Sequence, residues 1–196
     1  MTTLEHRRGV GIADLLAIPE EERFHELLDG ELVRKAAPGF RHSRIQQRIA
    51  RALSPFDDDG DGAAGRWVIL AEVEIELGKN IFRPDLVGWR VERLVGVDVE
   101  TWPMRLTPDW VCEVLSPGHK GHDRVKKFRR YAEAGIAHYW MVDPQVRQLE
   151  VYALENGVFQ PVVVAGPGEV VKAVPFDAID FDVDRILAVD LGPPKP

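Results

Sequence analysis

Apolar residues follow three rhythms along this chain, and each predicts a different element. From Ile69 to Leu77 every second position is apolar, with Glu72, Glu74 and Glu76 in between. That alternation predicts a half-buried strand. "LGKNI" then supplies a turn and "IFRPDLVGW" (81 to 89) a hairpin partner. In "HSRIQQRIARAL" the spacing changes, with Ile45, Ile49 and Leu53 on one stripe and Ser43 near the start, which predicts an amphipathic helix. The third rhythm is an unbroken run. In "PDWVCEVLSP" (108 to 117), Trp110, Val111, Cys112, Val114 and Leu115 read as a strand covered on both faces, and "AHYWMVD" reads as another.

The remaining elements follow from turn chemistry. Asp29-Gly30 in "FHELLDGELVRK" and Asn156-Gly157 in "LEVYALENGVFQPVVV" mark tight hairpins. A helix is expected from about Asp123 to Ala134, stopped by Gly135. This order predicts an α/β fold with a mixed central sheet flanked by helices. The step from strand 110–115 through a helix to strand 138–143 has the length of a right-handed crossover, so these strands should be parallel. The 196 residues are expected to form one domain, 1–196, with a less regular N-terminal segment and a Pro-rich, acidic tail from about Gly166.

Composition narrows the setting. There is no apolar stretch near the roughly 18 residues of a membrane span, and "MTTLEHRRGV" leads into no secretory h-region. Cys112 is the only cysteine, which excludes an intrachain disulfide and fits a reducing cytoplasm; it reads as a small buried hydrophobe. The net charge of −7 argues mildly against a protein coated in nucleic acid. Its distribution is less uniform, with Arg41, Arg44, Arg48 and Arg51 at helical spacing and a basic cluster in "HKGHDRVKKFRR" (119 to 130). Either is a solvated face or a set of phosphate contacts. Asp57, Asp59, Asp61 and Gly62 imitate a calcium loop, but Val68 stands where a bidentate glutamate is needed.

Glu113 is the residue out of place, a carboxylate in the middle of a buried strand. Strand geometry points Val111, Glu113 and Leu115 one way and Cys112 and Val114 the other. Asp109, four residues upstream, would lie about 13 Å away and reads as a residue of the strand's start. Asp85, in the Pro84-Asp85 pair of a different strand, can share the site. Two such carboxylates repel unless one is protonated or a cation lies between them, and a salt bridge from Glu113 to Arg or Lys is the competing reading. Glu26, Glu31 and Glu72 offer extra acidic groups for the cleft but read more readily as surface or hairpin residues, and His119 and His122 as loop residues.

"DGELV", "PGFRH", "RPDL", "CEVLSP", Asp123-x3-Lys127-x3-Tyr131 and "AGIAHYWMVDP", in this order over about residues 24 to 165, resemble the Uma2 family of endonucleases. That family is assigned to the PD-(D/E)XK nuclease superfamily, so the resemblance implies a restriction-endonuclease-like fold. It makes Asp85 and Glu113 the acidic pair that holds magnesium or manganese, with the Val114 carbonyl as a further ligand. Leu115 stands where the superfamily pattern has lysine. The resemblance selects Lys127 on the following helix instead, although helical geometry alone does not separate Lys127 from Lys126. The implied activity is metal-dependent phosphodiester hydrolysis, as a DNA endonuclease, with Asp85, Glu113 and Lys127 catalytic. His42, Arg44, Arg48, Arg51, Lys126 and Tyr131 are the expected substrate contacts, and symmetric cutting would suit a homodimer. The alternative is a module that binds nucleic acid or protein on a nuclease-derived scaffold, which Leu115 and the acidic net charge would explain. A metal enzyme acting on a small phosphorylated molecule ranks last.

Overall fold

The computed structural model describes residues 9–35, 37–57, 66–116 and 123–188. The calcium-loop imitation beyond Asp57 and both loop histidines lie outside them. In chain order the elements begin with α1 (Ile12–Leu16), β1 (His25–Leu28), β2 (Glu31–Arg34) and α2 (Phe40–Ala52). Next come β3 (Trp67–Ala71), β4 (Ile75–Leu77), β5 (Asn80–Phe82), β6 (Leu86–Arg90), α3 (Val91–Leu94) and β7 (Trp110–Val114). A π-helical turn (Asp123–Lys127) runs into α4 (Phe128–Glu133), followed by β8 (His138–Asp143), β9 (Gln148–Glu155), β10 (Val158–Ala165), β11 (Val170–Val171), β12 (Phe181–Asp182) and α5 (Val183–Leu187).

A mixed sheet in the order β10-β9-β8-β7-β6-β3 forms the centre, with β7 and β8 parallel and its other pairs antiparallel. A second sheet, β2-β1-β5-β4, stands beside it. The two hairpin turns carry the positive φ angles that Asn/Asp-Gly pairs tolerate, at Asp29 and Gly30 and at Asn156 and Gly157. Among the described residues, no helix is long and apolar enough to cross a membrane.

The alternating run 69–77 is not one strand. It pairs with β6 up to Ala71↔Leu86, breaks, and resumes in the second sheet with Ile75↔Phe82. Two local features end the ladder. Glu72 adopts a left-handed backbone, φ 59°, and Pro84 opposite has no N–H to donate. Asp85 therefore sits at the seam between the two sheets.

The alternation along β7 divides the core as expected. Trp110, Cys112 and Val114 join Ile45 and Ile49 of α2 and the Leu53 that follows it on one face, while Val111 and Leu115 join Tyr131 and Tyr139 on the other. The C-terminal segment departs from its irregular reading and completes the first face. Phe176 packs its ring 4.9 to 5.6 Å from those of Phe56, Trp67, Trp110 and Trp140. Gly88 permits this packing, since a Cβ there would lie 3.2 Å from the Trp110 ring.

Candidate active site

Asp85 leaves the seam pointing at the end of β7, where the Val114 N–H donates to its Oδ2 at 2.7 Å. Lys35, in the segment after β2, places Nζ 2.8 Å from Oδ1 and also reaches the Arg83 carbonyl at 2.6 Å and Glu72 at 3.1 Å. Helix α2 adds two residues one turn apart on one face. His42 brings Nε2 within 3.2 Å of Asp85 Oδ2 and Nδ1 within 3.3 Å of Ser116 Oγ. Gln46 donates to the Asp85 carbonyl at 2.6 Å.

Glu113 lies across the same strand end, and the turn before α4 supplies its partners. Lys127 Nζ is 2.9 Å from Glu113 Oε1 and 2.9 Å from Glu26 Oε1. Tyr131, one turn on, donates its hydroxyl to Glu113 Oε1 at 2.7 Å. Glu26 also accepts the Arg83 N–H at 2.7 Å, which ties β1 to the seam. Lys127 is only 2% exposed, an extreme position for an ammonium group.

The two acids differ in electrostatics. Burial pushes Glu113 up, the Lys127 ammonium opposes that, the charge of Asp85 adds to it, and the balance is about 7. Burial would raise Asp85 as well, but contact with His42 and the Lys35 ammonium hold it well below the usual carboxylate range. Burial would lower Lys35, and the Asp85 and Glu113 carboxylates outweigh it to raise the ammonium above its ordinary value. Tyr131 is pushed well up by burial and by Glu113, so it stays a donor.

A cavity of about 40 Å³ opens on Glu26, Lys35, His42, Asp85, Glu113 and Lys127, room for an ion with a little water. Among the described residues, no group of three or more His, Cys, Asp or Glu side chains is arranged to hold a metal ion. The donor set still suits magnesium, a hard cation often held by only one or two carboxylates and otherwise by water and phosphate oxygens.

The structure thus brings Asp85, Glu113, Val114, Lys127 and His42 together, with an ammonium group against each of the two carboxylates. Tyr131, expected among the substrate contacts, has no exposed surface and instead orients Glu113. Lys126 points elsewhere, to Glu31 at 3.5 Å. Arg44, Arg48 and Arg51 line a different cavity. Asp109 stays at the start of β7, accepting from the Arg90 N–H and Arg93. Glu26 does lie in the first hairpin but is a buried member of the site rather than a surface residue, and Glu72 is a half-buried partner of Lys35 and Arg83. Lys35 and Gln46 are additions. Gln46 carried a signal, its i+4 spacing from His42; Lys35 carried none.

The family model for Uma2, described as "Putative restriction endonuclease", matches residues 12–184. A crystal structure from Anabaena variabilis ATCC 29413, described as that of a putative nuclease belonging to DUF820, is 20% identical, covers 91% of this chain and 97% of its own, and superposes with a TM-score of 0.74. That similarity shows a restriction-endonuclease-like fold. No curated protein matches the chain.

Proposed function

The chain belongs to the Uma2 family of putative restriction endonucleases, and from that premise we propose that it is a magnesium- or manganese-dependent phosphodiesterase that cuts DNA. One observation carries the reading. Two buried carboxylates of opposite pKa tendency, Asp85 and Glu113, meet at one strand end beside a buried lysine that touches one of them. Such pairing is characteristic of catalytic centres.

Asp85 and Glu113, with the Val114 carbonyl, would hold the ion. Bound there, it supplies Lewis-acid chemistry to the scissile phosphate. The remaining work falls to the chain. The Val114 N–H and the Tyr131 hydroxyl fix the two carboxylates before substrate arrives. Lys127 orients the attacking water and stabilises the negative charge that grows on the phosphoryl oxygens. Lys35, 17% exposed at the cavity wall, counters the charge of Asp85 while no cation is present. Nicking of supercoiled plasmid with magnesium or manganese, against a chelator, tests the proposal.

Two consequences follow for ion binding. Only ionised Glu113 is a ligand, and its pKa lies at about 7. Manganese affinity should therefore fall by about tenfold per pH unit below 7 and level off above it. Calorimetric titrations between mildly acidic and mildly alkaline pH check this, and a flat profile would remove Glu113 from the ion site. Lys35 competes with the ion for Asp85 at 2.8 Å, so Lys35→Met should tighten manganese binding by about tenfold or more, as expected for removing a unit charge at short range. Unchanged or weaker binding would contradict that competition.

A further inference from the structure

The arginines of α2 do not share the face that carries His42 and Gln46. At 3.6 residues per turn, Arg44, Arg48 and Arg51 fall roughly opposite those two side chains. There they line a cavity of about 480 Å³ together with Arg185 of α5, over a floor that includes Ile179 and Ile186. This cavity has no lining residue in common with the one around Asp85.

The acids in its wall are already committed. Asp182 caps α5 by accepting the Arg185 N–H at 2.9 Å, and Asp180 pairs with Lys172 at 3.4 Å. Arg48 donates to the Ala188 carbonyl and Arg44 to Gln47 at 3.2 Å. Among the described residues, Arg51 and Arg185 have no ion-pair partner. The cleft therefore offers guanidinium groups, the side chains best shaped for bidentate contact with phosphate oxygens.

We infer that this cleft is a second nucleic-acid contact, which holds the phosphodiester backbone away from the point of cutting. The inference takes its partner from the nuclease reading. From Arg44 to Arg51 the helix rises about 10.5 Å at 1.5 Å per residue, which matches about three phosphate-to-phosphate steps of one strand at roughly 3.4 Å each along a duplex axis. A row of this length fits a polymer backbone, whereas a single small anion would call for converging groups. Arg185 comes from a different element and widens the row into a two-sided groove. The isoleucine floor gives sugar carbons an apolar surface to lie on. The acidic net charge of −7 is no obstacle, because the basic groups are gathered in one place.

The test is fluorescence anisotropy with a labelled duplex, in chelator to prevent cutting, over a series of salt concentrations. It compares the native protein with R44Q/R51Q/R185Q; Arg48 is left intact because it anchors the Ala188 carbonyl. The triple variant should bind the duplex more weakly, with a log–log salt slope shallower by about 2.7, at about 0.9 for each lost phosphate contact. Its manganese binding should match that of the native protein, since the ion site is elsewhere. If the triple variant does not fold, R185Q alone should lower the slope by about 0.9. An unchanged slope in a native protein that binds duplex overturns the inference and leaves the nuclease reading standing. Failure of the native protein both to bind duplex and to nick plasmid overturns the two together. A mononucleotide whose binding is lost in R185Q while the duplex slope stays constant replaces the polymer with a small ligand, which also overturns it.

Discussion

Lys127→Met should abolish most cleavage and also weaken the fold. The ammonium sits 2.9 Å from both Glu113 and Glu26, and all three side chains are at most 5% exposed. Its removal leaves two buried carboxylates facing each other, a break that typically costs about 3–5 kcal/mol. At this chain length that is a fall in Tm of roughly 6–20 °C. The catalytic loss should be about 10²–10³ in kcat, the usual effect of removing a group that stabilises developing charge. The two effects separate in E26Q/K127M, where one carboxylate becomes neutral. Stability should return in part and cleavage should not. Thermal melts and plasmid turnover on both variants check this. Equal turnover by native protein and Lys127→Met would take the lysine out of the mechanism.

Asp85→Asn should remove ion binding while leaving the fold in place. The amide oxygen can still accept the Val114 N–H, and Lys35 keeps Glu72 and the Arg83 carbonyl. The charge that attracts a divalent cation is lost, and with it the several kcal/mol of Lewis-acid stabilisation, or about 10²–10⁴-fold in rate. Calorimetry with manganese and a melt in metal-free buffer give the two readings. Undiminished manganese binding would move the ion site away from Asp85.

Much of this fold could be read from the chain because local chemistry and burial agree. The faces of β7, the parallel step to β8 and the two Gly-containing hairpins are all fixed by period or by turn residues. Glu113 announced a site because a carboxylate in an apolar run needs a partner. Lys127 was readable only through family resemblance, since the turn that buries it while Lys126 stays half-exposed is not encoded in helical spacing.

Three features were hidden for physical reasons. The seam at Glu72 interrupts a perfect alternation, and a left-handed non-glycine residue leaves no mark on periodicity. Lys35 meets Asp85 across 50 residues of sequence, a contact only tertiary structure can make. The tail reads as polar and Pro-rich, yet Phe176, Phe181 and Leu187 are buried against the central sheet. Short apolar stretches carry no period, so neither their burial nor the placing of Arg185 beside α2 was visible.

Nicking of supercoiled plasmid by the native protein and Asp85→Asn, purified in parallel, tests the central claim most directly, each with magnesium, with manganese and with chelator. The account predicts nicked product from the native protein with a divalent ion, none with chelator, and little or none from Asp85→Asn under any condition. Nicking that survives the chelator, equal nicking by the two proteins, or none by the native protein with either ion would contradict it.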